Sequence, residues 1–177
     1  IVDINIESNI DLVIIATSSN VRSFVTIELL KKFTVSTIIF EKILFQKKDD
    51  YFSIKKLLDT NNVKAYVNCP MRMMSFYKDI KPLFKGTKFK YLVSGSQFGL
   101  VTNLIHFLDH ISFLNENSEY KANADFLDKE IIKSKREGFY ELNGSFQVNF
   151  KNGTQGFFNC DSTGKLNLSF PRSFFNS

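Results

Sequence analysis

The chain has 177 residues, 44% hydrophobic and 15% aromatic, enough for one sizeable domain or two small packed units with a real core. Its formal charge of +5 is spread over lysines in modest pairs such as Lys31-Lys32, Lys47-Lys48 and Lys55-Lys56. No basic stripe interleaved with aromatics emerges, which argues against specific nucleic-acid binding and leaves anionic partners such as phosphate-bearing cofactors. The longest apolar run is too short for a bilayer, so no transmembrane helix and no membrane partner are expected. Two isolated cysteines, Cys69 and Cys160, suit a reducing cytoplasm.

Asp11–Ala16 is a continuous apolar run that leaves through the polar Thr17-Ser18-Ser19-Asn20, the pattern of a parallel strand buried on both faces. Val21, Val25, Leu29 and Phe33 recur at i,i+4 and predict an amphipathic helix from Asn20 to Phe33. A second β-branched run, Val35–Phe40, ends in Glu41-Lys42. A helix follows from about Lys48 to Asp59, with Tyr51, Ile54 and Leu58 inward, and then a short strand, Lys64–Asn68. This β-α-β-α-β order reads as half of a doubly wound sheet, in which ligands sit at the strand ends: Thr17-Ser18, Glu41-Lys42 and Asn68-Cys69-Pro70.

After Pro70 the pattern changes to α+β. Residues 1–70 are expected to form a partial nucleotide-binding domain, and residues 71–177 an α+β domain with a mainly antiparallel open sheet. Its elements are a short helix from Ser75 to about Lys81, a strand from Lys88 to Ser94, a long helix, a strand-like Lys121–Phe126, and a meander over Phe139–Cys160. Asn143-Gly144 and Asn152-Gly153 read as tight hairpin turns in that meander. Phe146, Val148 and Phe150 alternate with Ser145, Gln147 and Asn149, giving one apolar and one polar sheet face.

The long helix, Leu100–Glu116, carries both histidines of the chain. On a wheel of about 3.6 residues per turn, Leu100, Val101, Leu104, Ile105, Phe107, Leu108, Ile111 and Leu114 form a broad core side. The opposite arc holds Thr102, Asn103, His106, Asp109 and His110, with Phe113 among them. It carries short hydrogen-bonding groups and no Lys, Arg or Glu, as a strip facing a polar cavity would. A His-Asp pair at i,i+3 can instead be a satisfied buried hydrogen bond. His106 and His110 could begin a zinc site, but no further His and no Cys pair stands at ligand spacing, so no metal is expected.

Asp11-Leu-Val-Ile-Ile-Ala-Thr17, Ile39-Phe-Glu-Lys42 and Asn103-Leu-Ile-His106-Phe-Leu-Asp109, in that order, resemble the fourth Rossmann strand, the Glu-Lys-Pro strand end and the His-x-x-Asp helix of one family. This is the glucose-fructose oxidoreductase, inositol dehydrogenase and MocA group of nicotinamide-dependent sugar oxidoreductases, and the resemblance covers most of the chain. It implies hydride transfer between NAD or NADP and a sugar or sugar derivative. Ala16, Thr17, Ser18, Glu41 and Lys42 would lie along the cofactor. Lys42 would hydrogen-bond the reacting oxygen, and His106 and Asp109 would complete proton transfer. Asn103, Arg72 and His106 would contact the substrate, although an arginine in Met71-Arg-Met-Met74 can equally be an exposed charge.

The departures from the family pattern are specific. Ile43 stands where the family has Pro, Ser18 replaces a Pro, Arg22 replaces a common His, and Phe113 occupies the place of a catalytic His in inositol dehydrogenase relatives. The Gly-x-Gly-x-x-Gly loop and the first Rossmann strands are absent from these 177 residues. The chain is therefore expected to be roughly the C-terminal two-thirds of such an enzyme. The alternative is a non-catalytic dimerisation or ligand-sensing relative. A homodimer through the C-terminal sheet is expected in either case, against a monomer whose polar face is solvated.

Overall fold

The computed structural model describes residues 9–134 and 137–162, so residues 163–177 of the expected second domain lie outside the described part. The chain is an α/β protein that divides into two compact units between Asn68 and Cys69.

The first unit runs β1 (Asn9–Ile15), α1 (Arg22–Lys32), β2 (Thr34–Phe40), α2 (Lys48–Thr60) and β3 (Lys64–Val67). The strands are parallel in the order β1-β2-β3. Alternation along each strand sends Val13, Ile15, Ile38 and Phe40 into a core closed by Ile54 and Leu58 of α2. The other face is a cross-strand row, Ile14–Ile39–Tyr66, in which Ile14 is 63% and Tyr66 58% exposed. Parallel sheets are ordinarily covered on both faces, whereas this row is left bare among the described residues.

Two inward assignments shift. Tyr51 lies in the first turn of α2 and is partly exposed, because its ring packs edge-on against Phe45 at 5.2 Å and its hydroxyl donates to the Phe45 carbonyl. In α1, Val25, Leu29 and Phe33 pack against the core, but the most deeply buried residues are Arg22 and Thr26, and Val21 is exposed. Burial of these two polar residues is accompanied by hydrogen bonds: Thr26 Oγ1 donates to the Arg22 carbonyl at 2.7 Å, and the two terminal nitrogens of the guanidinium donate to main-chain carbonyls described below, while Nε has no partner among the described residues.

The second unit begins with a 3-10 turn (Pro70–Met73), α3 (Ser75–Ile80) and a second 3-10 turn (Lys81–Phe84). It continues with β4 (Lys90–Ser96), α4 (Leu100–Asn115), β5 (Tyr120–Leu127), β6 (Ile132–Lys133), β7 (Tyr140–Glu141), β8 (Gly144–Phe150) and β9 (Gln155–Asp161). The main sheet has the order β4-β9-β8-β5, with β4 parallel to β9 and the other pairs antiparallel. Leu108 and Ile111 of α4 pack on Val148, Phe150, Phe158 and Cys160, so the alternating face of β8 is the core face.

Asn152-Gly153 lies in the β8–β9 hairpin. Asn143-Gly144 is not a hairpin turn: β7 pairs with β6 in a separate ribbon, and Gly144 opens β8 beside Leu127 and Cys160. The glycine is there for close approach, since a Cβ at Gly144 would lie 2.6 Å from Asp128 N and from Phe126 O. The outer sheet face is less polar than expected, because Leu92 and Phe126 join it and are 65% and 59% exposed. On α4 the sheet covers only the centre of the apolar arc. Val101 and Ile105, on one flank, are exposed. His110, on the other flank, is buried. Among the described residues no helix is long and apolar enough to cross a membrane.

Candidate functional site

In the first unit the strand ends are tied together by the main chain. Glu41 N donates to Ile15 O at 3.2 Å, and Asn68 N donates to Phe40 O at 2.8 Å. Asn68 Nδ2 donates to the Glu41 carboxylate at 2.6 Å, which joins the ends of β2 and β3 through side chains as well. Ala16 is exposed, and Thr17, Ser18, Glu41 and Lys42 are half-buried at this edge. The Lys42–Ile43 peptide is cis. Thr17 Oγ1 is buried with no hydrogen-bond partner among the described residues, the condition of a polar atom held for a ligand.

Arg22, only 2% exposed, underlies this edge. Its Nη1 donates to the carbonyls of Glu41 (2.6 Å), Leu44 (2.9 Å) and Ile43, and its Nη2 donates to Thr17 O. Burial pulls its pKa down, opposed by the charges of Glu41 and Tyr51.

In the second unit the predicted residues divide between two surroundings. Arg72, from the 3-10 turn, reaches α4 and grips Asp109 with both arms of its guanidinium: Nε to Oδ2 at 2.8 Å and Nη2 to Oδ1. It is thus neither a lone surface charge nor an uncommitted donor. Asn103 Nδ2 donates to Phe98 O at 2.5 Å, bracing the entry to α4. Glu141 accepts from Val101 N at 3.0 Å and supplies the negative group that the first turn of α4 lacks. His106 is half-buried, three residues before Asp109 on the same helix.

Phe113 lies between two cations, with Lys81 Nζ 4.8 Å and Arg72 Cζ 5.8 Å from its ring centre. An apolar ring at this position cannot move a proton. With Ser112, Glu116, Asn117 and Ser118 these groups line a groove of about 400 Å³. Lys81 pairs with Glu116 at 2.8 Å and holds that carboxyl below its ordinary range.

His110 leaves the expected polar strip altogether. It is buried, with Nδ1 3.0 Å from Tyr91 Oη and its ring 4.1 Å from the Tyr77 ring. Burial pushes the imidazole down to about 4, against the opposing charge of Asp109, and pushes the Tyr91 phenol up. The pair is therefore neutral near pH 7 and belongs to the core. Among the described residues no group of three or more His, Cys, Asp or Glu could hold a metal.

Sequence reasoning passed over Arg22 as a structural anchor, the Tyr77–His110–Tyr91 contact and the Lys81–Glu116 pair. A basic residue opening a helix with no acid in its first turn was the one available signal for the first.

No family model matches the chain, and no curated protein matches it. Solved structures do. A dehydrogenase (MviM) from Clostridium difficile is 16% identical, with 88% of this chain and 52% of that one aligned at a TM-score of 0.62. An NAD-binding protein from Listeria innocua is 17% identical over 89% and 49%, with a TM-score of 0.58. The super-repressor mutant of Gal80p from Saccharomyces cerevisiae is 16% identical over 88% and 51%, with a TM-score of 0.68. At such identities the similarity establishes the fold, that of Rossmann-type oxidoreductases and of a repressor built alike. The chain spans about half the length of these structures.

Proposed function

We propose that the chain supplies the substrate-side part of an oxidoreductase of the glucose-fructose oxidoreductase, inositol dehydrogenase and MocA type. The reaction moves a hydride between NAD or NADP and a hydroxyl or keto group of a sugar or sugar derivative, in the cytoplasm. The observation that carries this reading is Lys42 at the end of β2, with its neighbouring carbonyls held by Arg22 and the strand ends laced at the edge where doubly wound sheets take ligands.

The orphaned Thr17 hydroxyl at the same edge fits a cofactor contact, alongside Ala16, Ser18 and Glu41. The nicotinamide supplies or accepts the hydride when bound. The Lys42 ammonium donates a hydrogen bond to the reacting oxygen and stabilises the charge that develops there. His106 exchanges the proton, Asp109 with Arg72 sets the electrostatics of that helix face, and Asn103 Oδ1 and Arg72 contact sugar oxygens. The 177 residues contain no Gly-x-Gly-x-x-Gly loop to grip a pyrophosphate, and Ile14 and Tyr66 of the Ile14–Ile39–Tyr66 row are exposed. Homodimers form through the outer sheet face, where Leu92, Phe157, Gln147 and Asn123 make one row across the strands.

The fold shared with Gal80p favours one alternative, a non-catalytic ligand-sensing or dimerisation protein. Cofactor titration of the protein carrying the coding sequence upstream of Ile1 separates the two. A strand and Gly-rich turn in that sequence, with saturable NADH or NADPH fluorescence, supports the enzyme; a natural start just before Ile1 and no binding supports the alternative.

A further inference from the structure

The geometry points to Arg22 as a positioning residue for Lys42, an inference that rests on reading Lys42 as the group that meets the reacting oxygen. A buried guanidinium ordinarily finds a carboxylate, because removing its charge from water is costly. Here its hydrogen-bond acceptors are the main-chain carbonyls of Thr17, Glu41, Ile43 and Leu44. Two of these, Glu41 and Ile43, flank Lys42 on either side in the chain, so the Glu41–Lys42 peptide from which the lysine projects is held directly and the Ile43–Leu44 peptide, one residue beyond it, is held as well. The third strand-end contact, Thr17, belongs to the loop after β1, so one side chain bridges both loops.

Arginine suits the task because its planar fork sends separate donors in diverging directions; an ammonium is a single point of charge. The base of the side chain is itself held, since the Arg22 carbonyl accepts from the fully buried Thr26. Phe40 and Phe45, both buried, anchor the two ends of the segment in the core. Arg22 touches no reacting atom in this scheme. It acts through the direction it gives to Lys42.

The test is a lysine-by-lysine acetylation footprint with the N-hydroxysuccinimide ester of acetic acid, which needs no enzymatic activity. In folded Arg22→Ala protein the Lys42 rate should change by about threefold or more relative to Lys31 and Lys64 as internal references. Added guanidinium should return it toward the wild-type value, whereas methylammonium should not. Arg22→Lys, which keeps the charge without the fork, should show the same Lys42-specific change. A Lys42 rate equal to wild type in either folded variant overturns the proposal, as does loss of folding in both, which would make Arg22 a folding residue only. Normal turnover in a Lys42 variant would remove the reading of Lys42 and leave the footprint result standing, so the two failures are distinguishable.

Discussion

Arg72 and Asp109, 37 residues apart in the chain, form a two-point ion pair, Nε to Oδ2 at 2.8 Å and Nη2 to Oδ1. The carboxylate is the more buried partner, its side chain 18% exposed against 43% for the arginine. Planar two-point pairs are stronger than ordinary surface ion pairs, because both donors are fixed at once. A double-mutant cycle with Arg72→Ala and Asp109→Ala should give a coupling of about 1–2 kcal/mol in urea melts. Additive single effects would show that the pair contributes nothing specific.

His110 and Tyr91 set a pH dependence of opposite sign to that of a paired surface histidine. The folded imidazole titrates near 4, below the ordinary 6.5, so between these values the unfolded chain binds more protons. Stability is therefore full above about pH 6.5 and is lost as pH falls toward about 4, with a loss of about 1–2 kcal/mol between pH 7 and pH 5. Urea midpoints at the two pH values measure it. His110→Phe should flatten the difference, and an unchanged slope would assign it to other groups.

The strands of the first unit were legible because β-branched runs of strand length, broken by polar loops, leave few alternatives; β2 and β3 begin and end within a residue of expectation. The hairpin at Asn152-Gly153 was legible for the same reason as any tight turn. Asn143-Gly144 shows the ambiguity of that signal, since a glycine demanded by close approach of two backbones looks identical in sequence to one demanded by a turn. The role of Arg22 was not legible, because its partners are carbonyl groups, which every residue has. His110 was assigned to the polar strip, whereas it is buried at the flank of the core side. Its burial depends on Tyr77 and Tyr91, from elements whose position beside the helix no periodicity reveals.

Gly144 and Gly138 separate two costs. Both have positive φ, +102 and +76, but a Cβ at Gly144 meets backbone at 2.6 Å, whereas one at Gly138 meets nothing within 4 Å. Gly138→Ala should cost about 1 kcal/mol, from backbone strain alone. Gly144→Ala should cost about 2–4 kcal/mol, because β5 and β8 must separate. Thermal melts of the two variants check the ranking, and equal costs would contradict the close approach.

The outer sheet face predicts an assembly. Leu92, 65% exposed, shares its cross-strand row with Phe157 and Gln147. Light scattering should find a dimer, and Gln147→Glu with Asn149→Glu should convert it to monomer by placing like charges across the two-fold axis. A monomer at all concentrations in the wild-type protein removes the idea.

The most direct measurement of the central claim is steady-state turnover and cofactor binding of Lys42→Met in the full-length protein. The account predicts that kcat falls by about a hundredfold or more while the Kd for NADH or NADPH stays within about threefold, because Lys42 acts on the reacting oxygen and the pyrophosphate is held elsewhere. Turnover preserved in Lys42→Met, or turnover and cofactor affinity lost equally, would contradict it.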